Sequence, residues 1–318
     1  MAEHLTARTV RAWGERYSNW GRWGADDQRG TLNLITPAKI LTACQLPHRG
    51  QVISCALPFD DKGPQTGAFG RHNPIHVMLA DGADAAAGAQ DFLPGGFRYA
   101  DDAVTMPLQC GTQWDALAHV FYDGRMYNDR DVRLVSSGGA RANSIDRIAD
   151  GVVSRGVLLD LPRHRRVPWL EDGTAVLPEE LDECAEAQGV AVEPGDVVLV
   201  RTGKMTRCLE ARSWQGYTSG PSPGLSVHCA RWLYEREVAA VASDTFALEV
   251  LPSEVEDCLM PLHMISLRNT GVLFGEIFHL DRLAGACAED GSYAFLFCAP
   301  PLPITGAVGS PINPLAIT

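Results

Sequence analysis

The sequence predicts an α/β fold with a mixed β-sheet or barrel-like core and surrounding helices. Three observations carry this. Strand-like and helix-like stretches interleave along the second half of the chain. Several apolar runs follow one another with no helix between them, which favours a mixed sheet or barrel over a doubly wound parallel one. No internal repeat, heptad pattern or long linker interrupts the chain, so one domain over residues 1–318 is expected.

The elements follow in order. Residues 1–35 read as an irregular, aromatic-rich N-terminal arm. Trp13, Tyr17, Trp20 and Trp23 sit there among Gly and Asp, and their rings must dock on a subunit interface or a pocket rim to leave water. A short helix follows, with Thr36 as N-cap, Pro37 at the first helical position and an end near Gln45. Residues 82–105 carry Gly, Ala and Asp with little periodicity and read as a long surface excursion. Residues 156–161 are a buried strand. Residues 178–188 are a helix closed by Gly189, and 196–201 a strand led by Pro194 and Gly195. An amphipathic helix over 226–236 precedes a strand over 238–242 that ends at Ser243 and Asp244. Asp281 caps a last helix to about Ala288, and 293–298 is a strand. Residues 300–318, rich in Pro and Gly, are expected as an extended tail running over the body.

Composition narrows the function. Hydrophobic residues make up 46% and charged residues 21%, which is a globular balance. The net charge of −12 disfavours nucleic acid and anionic lipid as partners and leaves a small molecule as the expected one. No apolar run reaches the roughly 20 residues needed to cross a bilayer, and the N-terminus lacks a signal-peptide core, so a cytoplasmic location is expected. Nine Cys occur with no C-x-x-C spacing, which argues against a disulfide framework or a thiolate zinc site.

One segment concentrates chemistry. From Gln109 the chain reads Gln-Cys-Gly-Thr-Gln-Trp-Asp-Ala-Leu-Ala-His, ending at His119. In a strand, Gln109, Gly111, Gln113 and Asp115 share one face. Polar and small residues on one face make a poor core and a reasonable pocket lining. Asp115 is then a ligand or acid/base group and His119 a general base; the alternative is a solvated strand face. Cys110 lies on the opposite face and reads as packing. Trp114, Phe121, Tyr122 and Tyr127 line either an aromatic pocket or ordinary core. His76 either reaches the pocket or packs at a strand edge. Glu276, inside an apolar run, needs a partner to be buried there.

The same segment resembles the cyclase family that includes bacterial kynurenine formamidases and isatin hydrolases. That family carries His-x-Gly-Thr-His-x-Asp-x-x-x-His, and Gly-Thr, Asp115 and His119 match it in register. Further matches are Asp196 to Gly203, the Ser243-Asp244 turn, His263, Glu276 and Gly306-Ala-Val-Gly-Ser-Pro-Ile. The resemblance implies a swivelling β/β/α fold and a divalent-metal site whose final motif His is the acid/base. It implies Asp115, His263 and Glu276 as metal ligands, with Gln113 as a weak fourth, and His119 as the catalytic base; Asp115 and Glu276 are expected to join His119 as catalytic groups. Gln109, Gln113, Trp114, Tyr122 and His76 are the expected substrate contacts. Gln109 and Gln113 stand where the family has imidazoles, so the chain reads as a branch with Gln in place of metal-binding His. An amide oxygen is a weaker zinc donor than imidazole nitrogen. The cofactor expectation is therefore one ion of manganese, zinc or magnesium, or none.

Three functions follow. The first is hydrolysis of an amide, formamide, lactam or lactone, with water activated by His119 and Asp115. The second is metal-independent cyclisation, dehydration or elimination on a small carbonyl metabolite. The third is a non-catalytic binding protein on a degenerate enzyme fold. A homodimer or homotetramer with arms exchanged between subunits is expected, as in related proteins.

Overall fold

The computed structural model describes residues 5–318. Its centre is a nine-stranded sheet. In chain order the strands are β1 (Val52–Ser54), β2 (Gln113–Asp115), β3 (Val153–Asp160), β4 (Val197–Arg201), β5 (Ala240–Ser243), β6 (Leu273–Glu276), β7 (Ala294–Cys298), β8 (Gly309–Pro311) and β9 (Leu315–Ile317). In space they run β1-β9-β7-β3-β4-β5-β6-β2-β8. The four central strands β3 to β6 are parallel, and every flanking pairing is antiparallel.

That order forces the sheet to curl. β8 and β9 are joined only by Ile312–Pro314, a link that spans at most about 14 Å. In a flat sheet their positions would lie seven strand spacings apart, about 34 Å. The two ends therefore approach each other, giving a curled, half-barrel-like core. The seam is stitched by Leu57 N donating to Thr112 Oγ1 at 2.9 Å, Ile312 N to the Thr112 carbonyl at 3.0 Å, and a bridge between Ala56 and Phe278.

Strand alternation sorts the core into two layers. Val157, Leu159, Val198, Val200, Val241 and Phe274 face one side, packed with helices Pro178–Ala187 and Cys229–Glu235 and the π-helix His263–Thr270. Leu158, Val197, Leu199, Ala240, Ala242 and Leu273 face the other, packed with Trp114, Phe297 and helix Asp281–Asp290. Both faces are covered, so the central strands read as continuous apolar runs.

The N-terminal segment docks on its own chain. Of the expected arm over 1–35, residues 1–4 lie outside the described residues. The rest is not irregular throughout: Ala7–Arg16 is a helix with a Thr6 capping box. It packs against the π-helix, where Trp20 Nε1 donates to the Arg268 carbonyl and Asn19 Nδ2 to that of Thr270. The short helix is Pro37–Ala43, capped by Thr36 as expected. Within 82–105, Asp101–Thr105 pairs with Ile75–Ala80 as an exposed hairpin. The region 300–318 does not run over the body. It supplies β8 and β9, which Pro and Gly permit because both strands lie at or beside the sheet's edges.

Candidate active site

β2 and β6 pair so that Asp115 lies opposite Phe274 and Gln113 opposite Glu276. Side chains of paired residues share a face, so Asp115 and Glu276 project together toward the π-helix side. Glu276 stands at the C-terminal end of the parallel strands, where open α/β sheets bind ligands. The π-helix supplies His263 at its first position. Such helices are rare and concentrate at functional sites. One ligand atom each from Asp115, His263 and Glu276 falls within 4.8 Å of the others, and all three residues are buried.

His263 is fixed by a residue the sequence reading missed. Its Nδ1–H donates to Glu249 Oε1 at 2.5 Å, and the backbone N–H groups of Leu262 and His263 donate to the same carboxylate at 3.0 Å. Glu249 thus satisfies two donors at the helix start and leaves Nε2 facing Glu276 Oε1 at 3.5 Å. Burial works against charging His263, but its hydrogen bonds to Glu249 and Glu276 outweigh this and hold it above the usual imidazole range. Burial, with Asp115 beside it, raises the Glu276 carboxyl, while His263 pulls it back. Glu249 had the signal that picked out Glu276, a carboxylate inside an apolar run.

Gln113 Nε2 donates to Glu276 Oε2 at 2.9 Å and to Asp115 Oδ1 at 3.3 Å. Gln113 Oε1 and Asp115 Oδ2 are buried without a hydrogen-bond partner. Orphaned buried acceptors call for a donor or a cation. An imidazole nitrogen and two carboxylates, with Asp115 Oδ2 free, fit a divalent ion held by three protein ligands with an open position.

His119 follows β2 in a turn whose N–H donates to the Ala116 carbonyl at 2.8 Å. Its Nε2 is 3.8 Å from Asp115 Oδ1, and 24% of its side chain is exposed. Burial lowers its pKa below the ordinary value, with His263 and Arg71 adding to the effect and Asp115 opposing it. A neutral ring is therefore favoured. His119, His263 and Glu276 line a cavity of about 220 Å³ with Phe69, Arg71 and Met260.

The other predicted site residues lie elsewhere or reach this group indirectly. Only 113–115 is strand, so the shared face holds Gln113 and Asp115 but does not extend back to Gln109. Gln109 has an unpartnered buried Nε2, and its carbonyl accepts from Arg71 at 3.3 Å. Trp114 points to the opposite face and donates to the Ala299 carbonyl, as the strand's alternation requires. Tyr122 donates to Asn269 Oδ1 and lies over Arg268, lining a separate depression with Arg11 and Trp20. His76 sits on the exposed hairpin, 2.7 Å from Asp102. Cys110 is buried, Phe121 is exposed, and Tyr127 is core.

Comparison with known proteins agrees with this geometry. The family described as "Putative cyclase" matches residues 32–250. A crystal structure of a novel cyclase shares 36% identity at a TM-score of 0.87, covering 96% of this chain and 99% of that one. Isatin hydrolase A from Ralstonia solanacearum shares 19% identity at a TM-score of 0.61, covering 89% of this chain and 98% of that one. Isatin hydrolase A from Labrenzia aggregata, bound to benzyl benzoate, shares 18% at 0.60, covering 84% and 93%. These last two show the fold alone. No curated protein matches the chain. Among the described residues, no helix is long and apolar enough to cross a membrane.

One sequence expectation is corrected. The reading of a branch whose metal-binding residues are replaced by Gln does not hold, because Asp115, His263 and Glu276 form an intact His/Asp/Glu cluster. Gln113 turns its N–H side to two of its members, so it serves as their hydrogen-bond donor and not as a substitute ligand. With 219 of its 318 residues, 32–250, matched by one family and a buried cluster able to hold water or metal, the chain belongs to the putative cyclase family of cyclase/hydrolase-type enzymes that act on small carbonyl or amide substrates.

Proposed function

We propose that the enzyme hydrolyses a C–N or C–O bond in a small amide, formamide, lactam or lactone, with His119 as general base. The observation that carries this is His119, held toward the neutral form, opening to the same cavity as His263 and Glu276 and lying beside Asp115. A divalent ion held by Asp115, His263 and Glu276 would polarise the carbonyl and acidify water. His119 Nε2 takes a proton from the attacking water as its oxygen adds to the carbonyl carbon. The same nitrogen returns that proton to the departing nitrogen or oxygen as the bond breaks, leaving an amine or alcohol and a carboxylic acid, which gives up the second proton of the water to solvent or to the freed amine. Asp115, whose Oδ1 lies 3.8 Å from Nε2, stabilises the charged form of the ring.

The test is His119→Asn, assayed against formamides and against isatin, a cyclic amide suggested by the names of the isatin hydrolases. The expected result is a 10²–10⁴-fold loss of kcat with little change in KM. Full activity in the folded variant overturns the role. The same reading takes residues 1–318 as one domain in the cytoplasm, with kynurenine formamidase-like cleavage of an acyl bond and a homodimeric or homotetrameric assembly. Light scattering that shows a monomer would remove the last of these.

A further inference from the structure

We propose that the substrate is an apolar carbonyl compound carrying a negative charge and no ammonium group, and that the loop Gly67–Arg71 selects it. The inference rests on the hydrolytic reading for the position of the scissile carbonyl, and goes beyond it in naming the rest of the molecule. The cavity of about 220 Å³ adjoins a larger one of about 520 Å³, and Phe69, Phe246, Leu259 and Met260 line both. The larger adds Leu251 and Pro252, and no charged side chain lines it. Ligand sites of this size are mostly apolar with a few placed polar groups. A carbonyl lodged beside His119 therefore has room behind it for a bulky apolar body.

Arg71 supplies the charge. Its guanidinium lies 5.8 Å from the centre of the Phe69 ring and 5.4 Å from that of Phe246, the two rings that wall both cavities. Its hydrogen bond goes to the Gln109 carbonyl at 3.3 Å, and among the described residues it makes no ion pair. Guanidinium has five N–H donors and is the side chain best matched to a carboxylate. It lines the same cavity as His119 and Glu276, which places it within electrostatic reach of the reacting carbonyl. Among the described residues Glu276 is the one carboxylate lining either cavity, and it belongs to the cluster, so an ammonium group on the substrate would find no partner among them.

Phe69 is held in a conformation that favours glycine. Its φ is 55°, between Gly67 at 97° and Gly70 at 71°. A bulky residue in this region is an outlier, and such strain gathers at ligand clamps. The strained turn lays the Phe69 ring against Phe246, with centroids 6.0 Å apart.

The experiment is calorimetric titration of the full-length, metal-loaded protein with three probes: 4-phenylbutyrate, its neutral amide, and its 2-amino derivative. The expected result is that 4-phenylbutyrate binds at least tenfold tighter than either of the others. In Arg71→Gln that preference disappears while amide binding is unchanged, which also shows that the variant is folded. Arg71→Lys retains part of it. Equal binding of acid and amide by the wild type overturns the proposal. So does a preference that survives in Arg71→Gln, because the carboxylate would then be held by the cluster, and so does equal binding of the amino derivative. Turnover of amides without any acid preference sinks this inference and leaves hydrolysis standing. Acid preference through Arg71 with no hydrolysis of any amide does the reverse.

Discussion

At the scale of single residues, the site depends on groups that do no chemistry themselves. Glu249 is the clearest case. Its carboxylate accepts from the Leu262 and His263 amides and from His263 Nδ1, so it fixes both the helix start and the ring. Outer partners of a ligating His commonly govern metal affinity by 10–100-fold. Glu249→Gln is expected to keep the fold but weaken divalent-metal binding by about that range, since an amide oxygen still accepts one hydrogen bond but carries no charge. Metal titration by competition with a chromophoric chelator reads this directly; unchanged affinity would make Glu249 a helix cap only. Asp115, His119 and Glu276 were legible in the sequence itself, and His263 only through the family resemblance. Asp115 and His119 stand in a short polar run, and Glu276 is an acid inside an apolar strand. Trp114, expected as a substrate contact, instead packs in the opposite layer, because along the strand it alternates with Gln113 and Asp115. Arg71 and Phe69 were invisible, since they reach the site from a loop with no periodicity and only the fold brings them there.

At the scale of elements, sequence pattern located β3, β4 and β5 and the helices Pro178–Ala187, Cys229–Glu235 and Asp281–Asp290 to within a few residues, because both layers of the core demand apolar runs there. It could not foresee the π-helix, whose wider turn is imposed by packing. Gly271 ends that helix with φ of 77°, and a Cβ there would fall 2.5 Å from the Tyr127 ring. The strand ends are tied by ion pairs whose titration is measurable. Asp281, in the first turn of helix Asp281–Asp290, accepts from Arg201 Nε at 2.9 Å and Thr206 Oγ1 at 2.6 Å. Burial alone would raise its carboxyl, but His279, Thr206 and Arg201 hold it well below the usual carboxylate range. A depressed carboxyl stabilises the fold above its unfolded pKa of about 4, and that contribution is lost as pH falls below it. Asp281→Asn is expected to cost roughly 1.5–3 kcal/mol at pH 7, the worth of hydrogen bonds to a charged group. Denaturant melts of the two proteins should begin to converge below about pH 4 and meet only once the pH has fallen through the depressed native pKa. A gap that stays constant with pH would assign the loss to packing.

At the scale of the whole molecule, the curled sheet explains why the cluster exists at all. Asp115 comes from β2 near one end of the sheet, Glu276 from the parallel centre and His263 from a helix laid across it. The strand order that closes the curl was not legible, because the Pro- and Gly-rich stretch after residue 300 hides two strands too short to show alternation. Bringing the three residues together buries two carboxylates side by side, and they repel unless a proton or a cation sits between them. A bound divalent ion would remove that repulsion and tie three elements far apart in sequence. Removing the ion is therefore expected to lower Tm, and restoring it to raise Tm in a concentration-dependent way. At an ion concentration one hundred times Kd the stabilisation is about 2.7 kcal/mol. Asp115→Asn relieves the repulsion and deletes a ligand together, so it should raise the stability of the metal-free protein while abolishing the response to added ion. Differential scanning fluorimetry across a manganese and zinc titration measures both effects. A metal-free protein that is destabilised by Asp115→Asn, and whose Tm ignores both ions, would show that the cluster is held by protons and runs its chemistry without a metal.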